Sequence, residues 1–460
     1  MVSRITELSC FKAYDVRGEL GKNFDKNICY RIARAFVQAL NAKTVVLGRD
    51  IRQTSPELAQ AITEGLIDEG AIVLDIGLAG TEEMYWGTTF FDACGGIEVT
   101  ASHNPINFNG LKMVKSGSRP LDPETDFIKI KKIAESDQFN EVKLKGRRVD
   151  KGSELKKAYI AKLLTFVEAN VIPSMKIMVN SGNGAAGPTF DLLELALSKI
   201  TNKLTFDKVH HIPDSSFPNG IPNPLLSENH LENKDLIIKA GANMGIAFDG
   251  DFDRCFFFDE NGDFVPGQYI VGLLAETFLL KEPGATIIHD HRVIWNIQHV
   301  INKCGGLAKS SQTGHAFIKQ SMRENVALYG GEISAHHYFR DFAYCDSGMI
   351  PWLLIVELMG RTGKPLSELV KIQKTMFPSS GEINFKLKNP KSSIQKVLNF
   401  YADQISAKDE FDGLSLIFDN WRLNLRCSNT EPLVRLNIES RGNSELIKEK
   451  IAEVKKLLYK

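Results

Sequence analysis

The sequence predicts an α/β protein with a smaller α+β domain at its C-terminal end. Strand-like and helix-like segments alternate through most of the 460 residues, a pattern typical of parallel sheets with helices on their faces. The alternation restarts at Lys176 and again at Gly267. Beyond residue 375 a strand-rich stretch is followed by one amphipathic helix. A chain of this length accommodates roughly three or four domains of ~100–200 residues each.

The first alternating unit shows how the elements are predicted. The run TVVLGRD from Thr44 is rich in β-branched residues and predicts a buried strand. The next segment, SPELAQAITEGLIDEG, predicts a helix with Ser55 as N-cap, Pro56 in the first turn and Gly70 at the end. The strand AIVLDIG follows, so the two strands are expected to pair in parallel.

Charge and cysteine usage narrow the function classes. Lysine plus arginine and aspartate plus glutamate both number 56, which argues against a binder of nucleic acid or of a membrane surface and leaves a small-molecule partner. The seven cysteines are scattered without a C-x-x-C pair and predict reduced thiols in the cytoplasm. The N-terminal residues lack the apolar run of a signal peptide. The two most apolar windows are short, contain Glu276 and Glu357, and predict core helices.

The stretch FDGDFDRC gives the strongest chemical signal. Asp249, Asp251 and Asp253 alternate with other residues after a predicted strand, so their carboxylates are expected to converge. Oxygen donors of this kind suit Mg²⁺, and Arg254 beside them suits a phosphate. The alternatives are a solvated acidic turn and an EF-hand loop. The EF-hand is disfavoured because Arg254 stands where glycine is required and the flanks predict strands.

Two further polar turns predict ligand contacts. In RCSNTEPLVR, a guanidinium, an amide and hydroxyls suit a dianionic phosphate, or else form a polar turn between strands. These residues are Arg426, Ser428, Asn429 and Thr430. In YGGEISAHHYFRD, the side chains of Glu332, Ser334, His336 and His337 suit sugar hydroxyls, with a metal site or a buried polar turn as alternatives. Adjacent histidines in a strand point to opposite sides and are not expected to hold one ion.

The stretch GNGAAG favours a competing function. It fits the G-x-G-x-x-G pattern between a strand and a helix, with Asp207 at a plausible distance for a ribose contact. Alone it predicts an NAD-dependent oxidoreductase, although any tight strand-to-helix turn uses such glycines.

The stretch VTASHNP places Ser102 beside His103 before a turn-forming Asn-Pro pair. Ser102 is either a nucleophile or a residue that caps a turn. Arg17, Lys112, His315 and Lys319 are single candidates, and for any one of them alone the sequence favours an ordinary structural or surface role over a functional one.

Taken together, the motifs YDVRG, TASHNP, NGLK, DGDFDR, GE-x-S-x-H and R-x-SNTEP resemble the α-D-phosphohexomutase family, in its order and over the whole chain. The likeness is greatest to the bacterial phosphomannomutase branch of GDP-mannose synthesis, through GGIEVTASHNP and GGEISAHHYFRDF. The resemblance implies three related α/β domains with mixed sheets and a smaller C-terminal α+β domain around a central cleft. The expected ranges are 1–149 with a phosphoserine loop, 150–250 ending in a metal loop, 251–374 with a sugar-binding loop and 375–460 with a phosphate-binding loop.

The resemblance also implies roles for the candidate residues. Ser102 would carry the phosphoryl group and, with Asp249, Asp251 and Asp253, would bind Mg²⁺. Lys112 and Arg17 would flank the phosphate, and His103 would be an acid/base or a hydrogen-bond donor. Glu332, Ser334 and His336 would contact the sugar hydroxyls, and His315 would transfer a proton. The phosphate that is not transferred would bind four further residues: Arg426, Ser428, Asn429 and Thr430.

The implied activity is interconversion of mannose 6-phosphate and mannose 1-phosphate through a phosphoserine and a hexose 1,6-bisphosphate, in a monomer or homodimer. A phosphoglucomutase or dual-specificity phosphohexomutase is the alternative. An NAD-dependent oxidoreductase and a non-catalytic phosphosugar-binding protein are more distant ones. Two departures from the family pattern stand out. Phe252 occupies a metal-loop position where many members have glycine, and Ala335 with His337 marks a subgroup of the sugar loop.

Overall fold

The computed structural model describes residues 7–427 and 433–459. These residues form two compact units, which we call unit 1 (7–264 and 336–363) and unit 2 (265–335, 364–427 and 433–459). Within the described residues, no helix has both the length and the apolar character needed to cross a membrane.

The N-terminal part of unit 1 is a mixed sheet with helices. Its strands are β1 (Val16–Glu19), β2 (Thr44–Arg49), β3 (Ile72–Leu78), β4 (Gly95–Val99), β5 (Phe108–Lys115), β6 (Arg119–Pro120) and β7 (Arg147–Asp150). Its helices are α1 (Lys26–Leu40), α2 (Ser55–Asp68), α3 (Thr81–Phe90) and α4 (Asp126–Ser136). The sheet order is β1-β5-β4-β2-β3-β7, with β2 parallel to β3 and β4 and β5 antiparallel to β4.

The start of α2 differs by one residue from the prediction. Thr54, not Ser55, is the N-cap residue. Ser55 is fully buried and its hydroxyl donates to Asp50 Oδ1 at 2.5 Å, while Asn109 Nδ2 donates to the same hydroxyl at 3.0 Å. A serine engaged in this tertiary network does not serve as the helix cap.

A second mixed sheet with its helices completes most of unit 1. The elements in chain order are α5 (Gly152–Leu164), β8 (Met175–Asn180), α6 (Ala186–Leu197), β9 (Leu204–Val209), α7 (His230–Ala240), β10 (Met244–Phe248), β11 (Cys255–Phe258) and β12 (Phe264–Val265). Strand β8 is parallel to β9 and β10, and β10 is antiparallel to β11. The boundary predicted between residues 250 and 251 lies in the turn of this β10–β11 hairpin; the predicted domain boundaries stay predictions.

The next elements divide between the two units. Unit 2 contains α8 (Gly267–Lys281), β13 (Thr286–Asp290), α9 (Trp295–Lys303), β14 (Leu307–Ser311), α10 (His315–Glu324) and β15 (Tyr329–Gly331). Unit 1 contains β16 (His337–Phe339), β17 (Cys345–Asp346) and α11 (Met349–Thr362). Strand β13 is parallel to β14 and β15, and β16 is antiparallel to β17. The two apolar windows lie in α8 and α11, both largely buried, as predicted.

The C-terminal part of unit 2 is the predicted α+β domain. Its elements are α12 (Leu366–Met376), which leads into it, and then β18 (Ser379–Lys386), α13 (Pro390–Tyr401), β19 (Ala407–Asp409), β20 (Leu414–Ile417), β21 (Trp421–Cys427), β22 (Leu433–Ser440) and α14 (Ser444–Tyr459). The strands form one antiparallel sheet in the order β18-β22-β21-β20-β19. Leu416, Leu423, Ile438 and Val454 belong to its core.

The three α/β domains repeat one arrangement, which confirms the prediction that they are related. In each, one strand (β2, β8 or β13) has a parallel neighbour on either side. The side chain of the residue that ends this strand or directly follows it accepts a hydrogen bond from the backbone N–H two positions later: Asp50 from Arg52 (2.9 Å), Asn180 from Gly182 (2.9 Å) and Asp290 from Arg292 (3.1 Å). The predicted phosphoserine, metal and sugar loops follow β4, β10 and β15, the same parallel neighbour in each domain.

Candidate active site

The loop after β4 holds Ser102 in a strained conformation. Its φ is 47°, in the left-handed region that residues with a Cβ seldom adopt. The backbone N–H of Ser102 donates to Thr100 Oγ1 at 2.8 Å, and that of Asn104 donates to the Ala101 carbonyl at 2.9 Å. Strain of about 1–3 kcal/mol in a non-glycine residue clusters at functional sites.

Ser102 Oγ lies between an acid of the metal loop and the neighbouring histidine. It donates to Asp249 Oδ2 at 2.7 Å and lies 3.0 Å from His103 Nδ1. Arg254 Nη2 also donates to His103 Nδ1. Burial, together with the charge of Arg254, lowers the pKa of His103 well below its usual range, so the imidazole is neutral at pH 7 and Nδ1 accepts. The structure therefore brings the predicted nucleophile to the predicted metal loop.

Asp249, Asp251 and Asp253 converge in the turn between β10 and β11. All three are buried, and one carboxylate oxygen from each lies within 4.8 Å of the others. Among the described residues, Asp251 Oδ1 and Asp253 Oδ1 are buried without a hydrogen-bond partner. Unpaired buried carboxylate oxygens are costly unless a cation neutralises them, so the donor set fits a hard ion such as Mg²⁺. The flanking elements are strands, as predicted, which excludes the paired helices of an EF-hand.

Lys112 of β5 lies against the same acids. Its Nζ donates to Asp251 Oδ2 at 2.7 Å and to Asp253 Oδ2. Burial lowers the pKa of Lys112, but the charges of Asp251 and Asp253 outweigh burial and leave the pKa raised. Burial opposes ionisation of Asp251 too, yet Lys112 and the Thr81 hydroxyl, which donates at 2.5 Å, hold the pKa of Asp251 below its usual range. The pKa of Asp253 is raised by burial and by the charge of Asp251.

Two arginines of unit 1 flank this cluster. Arg17 of β1 donates from Nη1 to the Thr100 carbonyl, just before the serine loop. Arg254 donates from Nε and Nη2 to Asp249 Oδ2, at 2.9 and 2.8 Å. Both arginines thus donate to residues close to Ser102 in the sequence, Thr100 and His103, and the roles of Arg17 and Arg254 toward phosphate stay predictions.

Phe252 closes the metal loop from the protein interior. It is fully buried, and its φ of 43° lies in the left-handed region. Its ring packs on the N-terminus of α3 so closely that a Cβ added to Gly80 would lie 2.3 Å from Phe252 Cε1. The backbone N–H of Thr81 donates to the Asp251 carbonyl at 3.1 Å. The phenylalanine ring therefore occupies space that is available because residue 80 is glycine. The carboxylates of Asp249, Asp251 and Asp253 still converge.

The predicted sugar-loop residues divide between the units. In unit 1, His336 Nδ1 lies 3.0 Å from Asp346 Oδ2, and these two side chains form a second group of possible metal donors with Asp253. His337 is fully buried, which lowers its pKa to about 3, and it belongs to neither group of possible metal donors found among the described residues. The expectation that the two histidines do not hold one ion stays a prediction.

In unit 2, Glu332 and Ser334 make contacts within the domain. Glu332 Oε1 accepts from the Gly314 backbone N–H at 2.9 Å, and Ser334 Oγ accepts from Arg292 Nη2 at 3.2 Å. Arg292 also donates to Asp290 Oδ2 at 2.6 Å and to Glu382 Oε2 at 3.1 Å. Arg292 thus bridges the sugar loop and β18 of the C-terminal domain.

The remaining predicted residues are placed as follows. His315 is the first residue of α10, after Gly314 with a φ of 129°. Arg426 lies near the end of β21, 3.7 Å from Asp412, and burial with the nearby charge of Arg292 lowers its pKa, although a guanidinium stays charged. The predicted phosphate ligands Ser428, Asn429 and Thr430 lie outside the described residues.

Sequence reasoning missed two buried arginines, Arg52 and Arg292. Each stands two residues after an aspartate at the C-terminal end of a strand, Asp50 directly after β2 and Asp290 as the last residue of β13, and each donates to the loop that carries candidate site residues. A recurring Asp-x-Arg after a predicted strand is the signal that could have found them.

The glycines of GNGAAG have packing roles in the turn between β8 and α6. A Cβ on Gly184 would lie 2.8 Å from the Gly250 carbonyl, and one on Gly187 would lie 1.9 Å from the His211 carbonyl. Close backbone packing accounts for both glycines without a nucleotide.

Four models of one protein family match the chain in order. They are described as phosphoglucomutase/phosphomannomutase alpha/beta/alpha domains I, II and III, over residues 9–141, 157–262 and 266–376, and as the C-terminal domain over 382–457. The chain belongs to the phosphoglucomutase/phosphomannomutase family. The four matches also account for the three α/β domains and the C-terminal α+β domain described above.

Related proteins in this family match over nearly their whole length. The chain is 52% identical over 454 residues to a phosphomannomutase of Salmonella montevideo, covering 99% of this chain and 100% of the relative. It is 46% identical over 454 residues to a Xanthomonas campestris protein named phosphohexose mutases, covering 98% and 99%. A solved family member from Burkholderia thailandensis superposes with a TM-score of 0.85 at 28% identity, covering 98% of each chain.

Proposed function

We propose that the protein is a Mg²⁺-dependent phosphomannomutase that interconverts mannose 6-phosphate and mannose 1-phosphate. The observation that carries the proposal is the hydroxyl of a strained serine, Ser102, 2.7 Å from one of three clustered, buried aspartates. Three relatives that are 51–52% identical to this chain and are named phosphomannomutase support this choice of reaction.

In this proposal Ser102 is the phosphoryl carrier. A hydroxyl of the sugar phosphate attacks the phosphorus of phosphorylated Ser102, the bond from phosphorus to Oγ breaks, and a hexose 1,6-bisphosphate results. The attacking hydroxyl gives its proton to a base, for which the imidazoles of His103 and His315 are the candidates. Ser102 Oγ then takes back the other phosphoryl group, which leaves the isomeric monophosphate.

The cations around Ser102 stabilise the charge that moves during transfer. Phosphoryl transfer depends mainly on positioning and on charge stabilisation. Lys112 and Arg17 supply two fixed positive charges beside the serine loop. Asp249, Asp251 and Asp253, with an oxygen of the Ser102 phosphate, would hold Mg²⁺, which neutralises phosphate charge when bound.

The sequence motifs supply the proposed contacts to the sugar phosphate. Glu332, Ser334 and His336 would bind the 3- and 4-hydroxyls of the sugar, and Arg254 would bind phosphate. The phosphate that is not being transferred would bind the polar residues of the R-x-SNT motif: Arg426, Ser428, Asn429 and Thr430. Because the bisphosphate must turn end for end, each phosphate position has to accept either phosphate.

Phosphoglucomutase activity is the second candidate. Mannose and glucose differ at the 2-hydroxyl, whereas the proposed contacts are to the 3- and 4-hydroxyls. The relative named phosphohexose mutases favours a site that accepts both sugars. We place the reaction in the cytoplasm, because all seven cysteines are free thiols. A monomer or homodimer stays the prediction for the oligomeric state.

A coupled turnover assay tests the proposal. Mannose 1-phosphate and, separately, glucose 1-phosphate are supplied with Mg²⁺ and a trace of hexose 1,6-bisphosphate to wild type and Ser102→Ala. We expect metal-dependent turnover that is largely lost in the variant, and the ratio of the two rates identifies the preferred sugar. Absence of turnover with both sugars in freshly phosphorylated enzyme, or full activity of Ser102→Ala, contradicts the proposal.

A further inference from the structure

Arg52 is a buried arginine whose hydrogen bonds converge on one loop. It is 1% exposed and lies between β2 and α2. Its Nη2 donates to the carbonyls of Ser102 and Asn104, at 2.9 and 2.5 Å. Its Nη1 donates to the carbonyls of Pro105 and Phe108, at 2.9 and 3.1 Å. The four terminal N–H groups of one guanidinium therefore hold four carbonyls of residues 102–108.

These bonds act on the strained part of the loop. Ser102 has a positive φ, and its own carbonyl is one of the four acceptors. The same carbonyl lies 2.7 Å from the position that a Cβ on Gly250 would take, so it is also packed against the metal loop. Arg52 itself is held by Asp50, whose Oδ1 accepts from its backbone N–H at 2.9 Å and whose Oδ2 lies 3.6 Å from its Nε.

The related third domain contains the same device. Arg292 follows Asp290 as Arg52 follows Asp50, and it donates to Ser334 Oγ in the loop after the equivalent strand. Asp290 Oδ2 also accepts from the backbone N–H of Ile333 in that loop, at 2.9 Å. An Asp-x-Arg pair at the C-terminal end of β2 and of β13 thus holds a candidate site loop in both domains.

We propose that Arg52 is the positioning residue of the serine loop: it holds the backbone of residues 102–108 so that Ser102 Oγ is aimed at the metal loop and at the incoming sugar hydroxyl. The proposal rests on the proposed function, in which Ser102 carries the phosphoryl group. Lysine cannot replace the arginine, because its three N–H groups share one nitrogen and cannot span four carbonyls. A misplacement of a reacting atom by about 1 Å lowers the rate by about 100-fold.

The test compares Arg52→Lys with Arg31→Lys in the full-length enzyme. Arg31 is a matched control, because it is buried and donates to two carbonyls, those of Ala134 and Glu135, at the end of α4 and away from Ser102. We expect Arg52→Lys to lower kcat by about 100-fold with KM unchanged, which is the pattern of a lost transition-state interaction. Arg31→Lys should lower thermal stability but keep kcat near that of wild type.

Hydrogen exchange of residues 101–108, measured by mass spectrometry without substrate, tests the positioning independently of the reaction. We expect faster exchange there in Arg52→Lys but not in Arg31→Lys. Unchanged exchange and unchanged kcat in Arg52→Lys overturn the proposal. Failure of both Arg52→Lys and Arg52→Gln to fold, while Arg31→Lys folds, also overturns it, since Arg52 would then serve the fold. Faster loop exchange in a protein whose wild type forms no phosphoserine would refute the proposed function and leave the positioning intact.

Discussion

Replacing Phe252 by alanine and by glycine separates the strain of the metal loop from its packing. Loss of a fully buried phenylalanine side chain costs about 3–5 kcal/mol of stability in either variant. Alanine keeps a Cβ in the left-handed region, at a cost of about 1–2 kcal/mol, whereas glycine has no such cost. Glycine loses about 0.5–1 kcal/mol more chain entropy on folding.

Phe248 offers a matched control in the same hairpin. It is also fully buried, but it lies in β10 and is not among the residues with positive φ. Glycine should therefore be worse than alanine at position 248 by about 0.5–1 kcal/mol, and equal or better at position 252. The entropy of glycine cancels when the two positions are compared, so the difference between them should be about 1–2 kcal/mol, the strain alone.

Hydrogen exchange of the β8 and β10 amides gives the opening free energy of this sheet in each of the four variants. Both variants at position 252 should remain folded and show faster exchange than wild type. If glycine is worse than alanine by the same amount at positions 248 and 252, Phe252 carries no backbone strain and the reasoning is refuted.

Three further outcomes follow from the buried charges. Since the pKa of Asp253 is raised and a metal ligand must be deprotonated, Mg²⁺ affinity measured by calorimetry should fall as the pH is lowered through that pKa, by up to about tenfold per unit; an affinity independent of pH would contradict this. Lys112→Met removes the ammonium beside Asp251 and Asp253 and should destabilise the metal-free protein by about 3–5 kcal/mol. Added Mg²⁺ should restore part of this lost stability, as measured by thermal melting. A stabilisation by Mg²⁺ no larger than in wild type would count against this prediction. Glu439→Gln leaves Arg422 buried without its counter-ion and should lower the free energy of unfolding of unit 2, measured in urea, by about 3 kcal/mol. Asp263→Asn, at an exposed ion pair, should lower the free energy of unfolding by under about 1 kcal/mol. Equal losses in the two variants would refute the idea that burial makes the Arg422–Glu439 pair important.

The elements with strong local signals were predictable from the sequence. The β-branched run from Thr44 forms β2, the apolar windows form α8 and α11, and the strand-rich C-terminal stretch forms an antiparallel sheet followed by α14. The predicted start of α2 was wrong by one residue. The hydroxyl of Ser55 forms hydrogen bonds with Asp50 and with Asn109, which is 54 residues away in the sequence. Local capping rules do not include such tertiary competition.

The candidate site shows the same limit. The aspartates of the metal loop and Ser102 could be found because each stands in a short, dense motif. Their meeting, with Ser102 Oγ on Asp249, follows from a sheet topology that no local pattern contains. Arg52 was missed because its partners are backbone carbonyls, which leave no trace in the identity of the residues that provide them.

The three loops that follow β4, β10 and β15 have a consequence for how specificity can change. Each loop occupies the equivalent position in one of three related domains, but their side chains differ. The loop after β4 carries a hydroxyl, the loop after β10 carries three carboxylates, and the loop after β15 carries the side chains proposed to bind the sugar. Because each function depends on a different loop, substitutions in one loop can change its function without changing the functions of the other two. Exchange of residues 332–335 alone, which keeps His336 beside Asp253 and Asp346, should therefore alter which hexose is accepted, while the phosphoryl carrier and the cation site continue to operate unchanged.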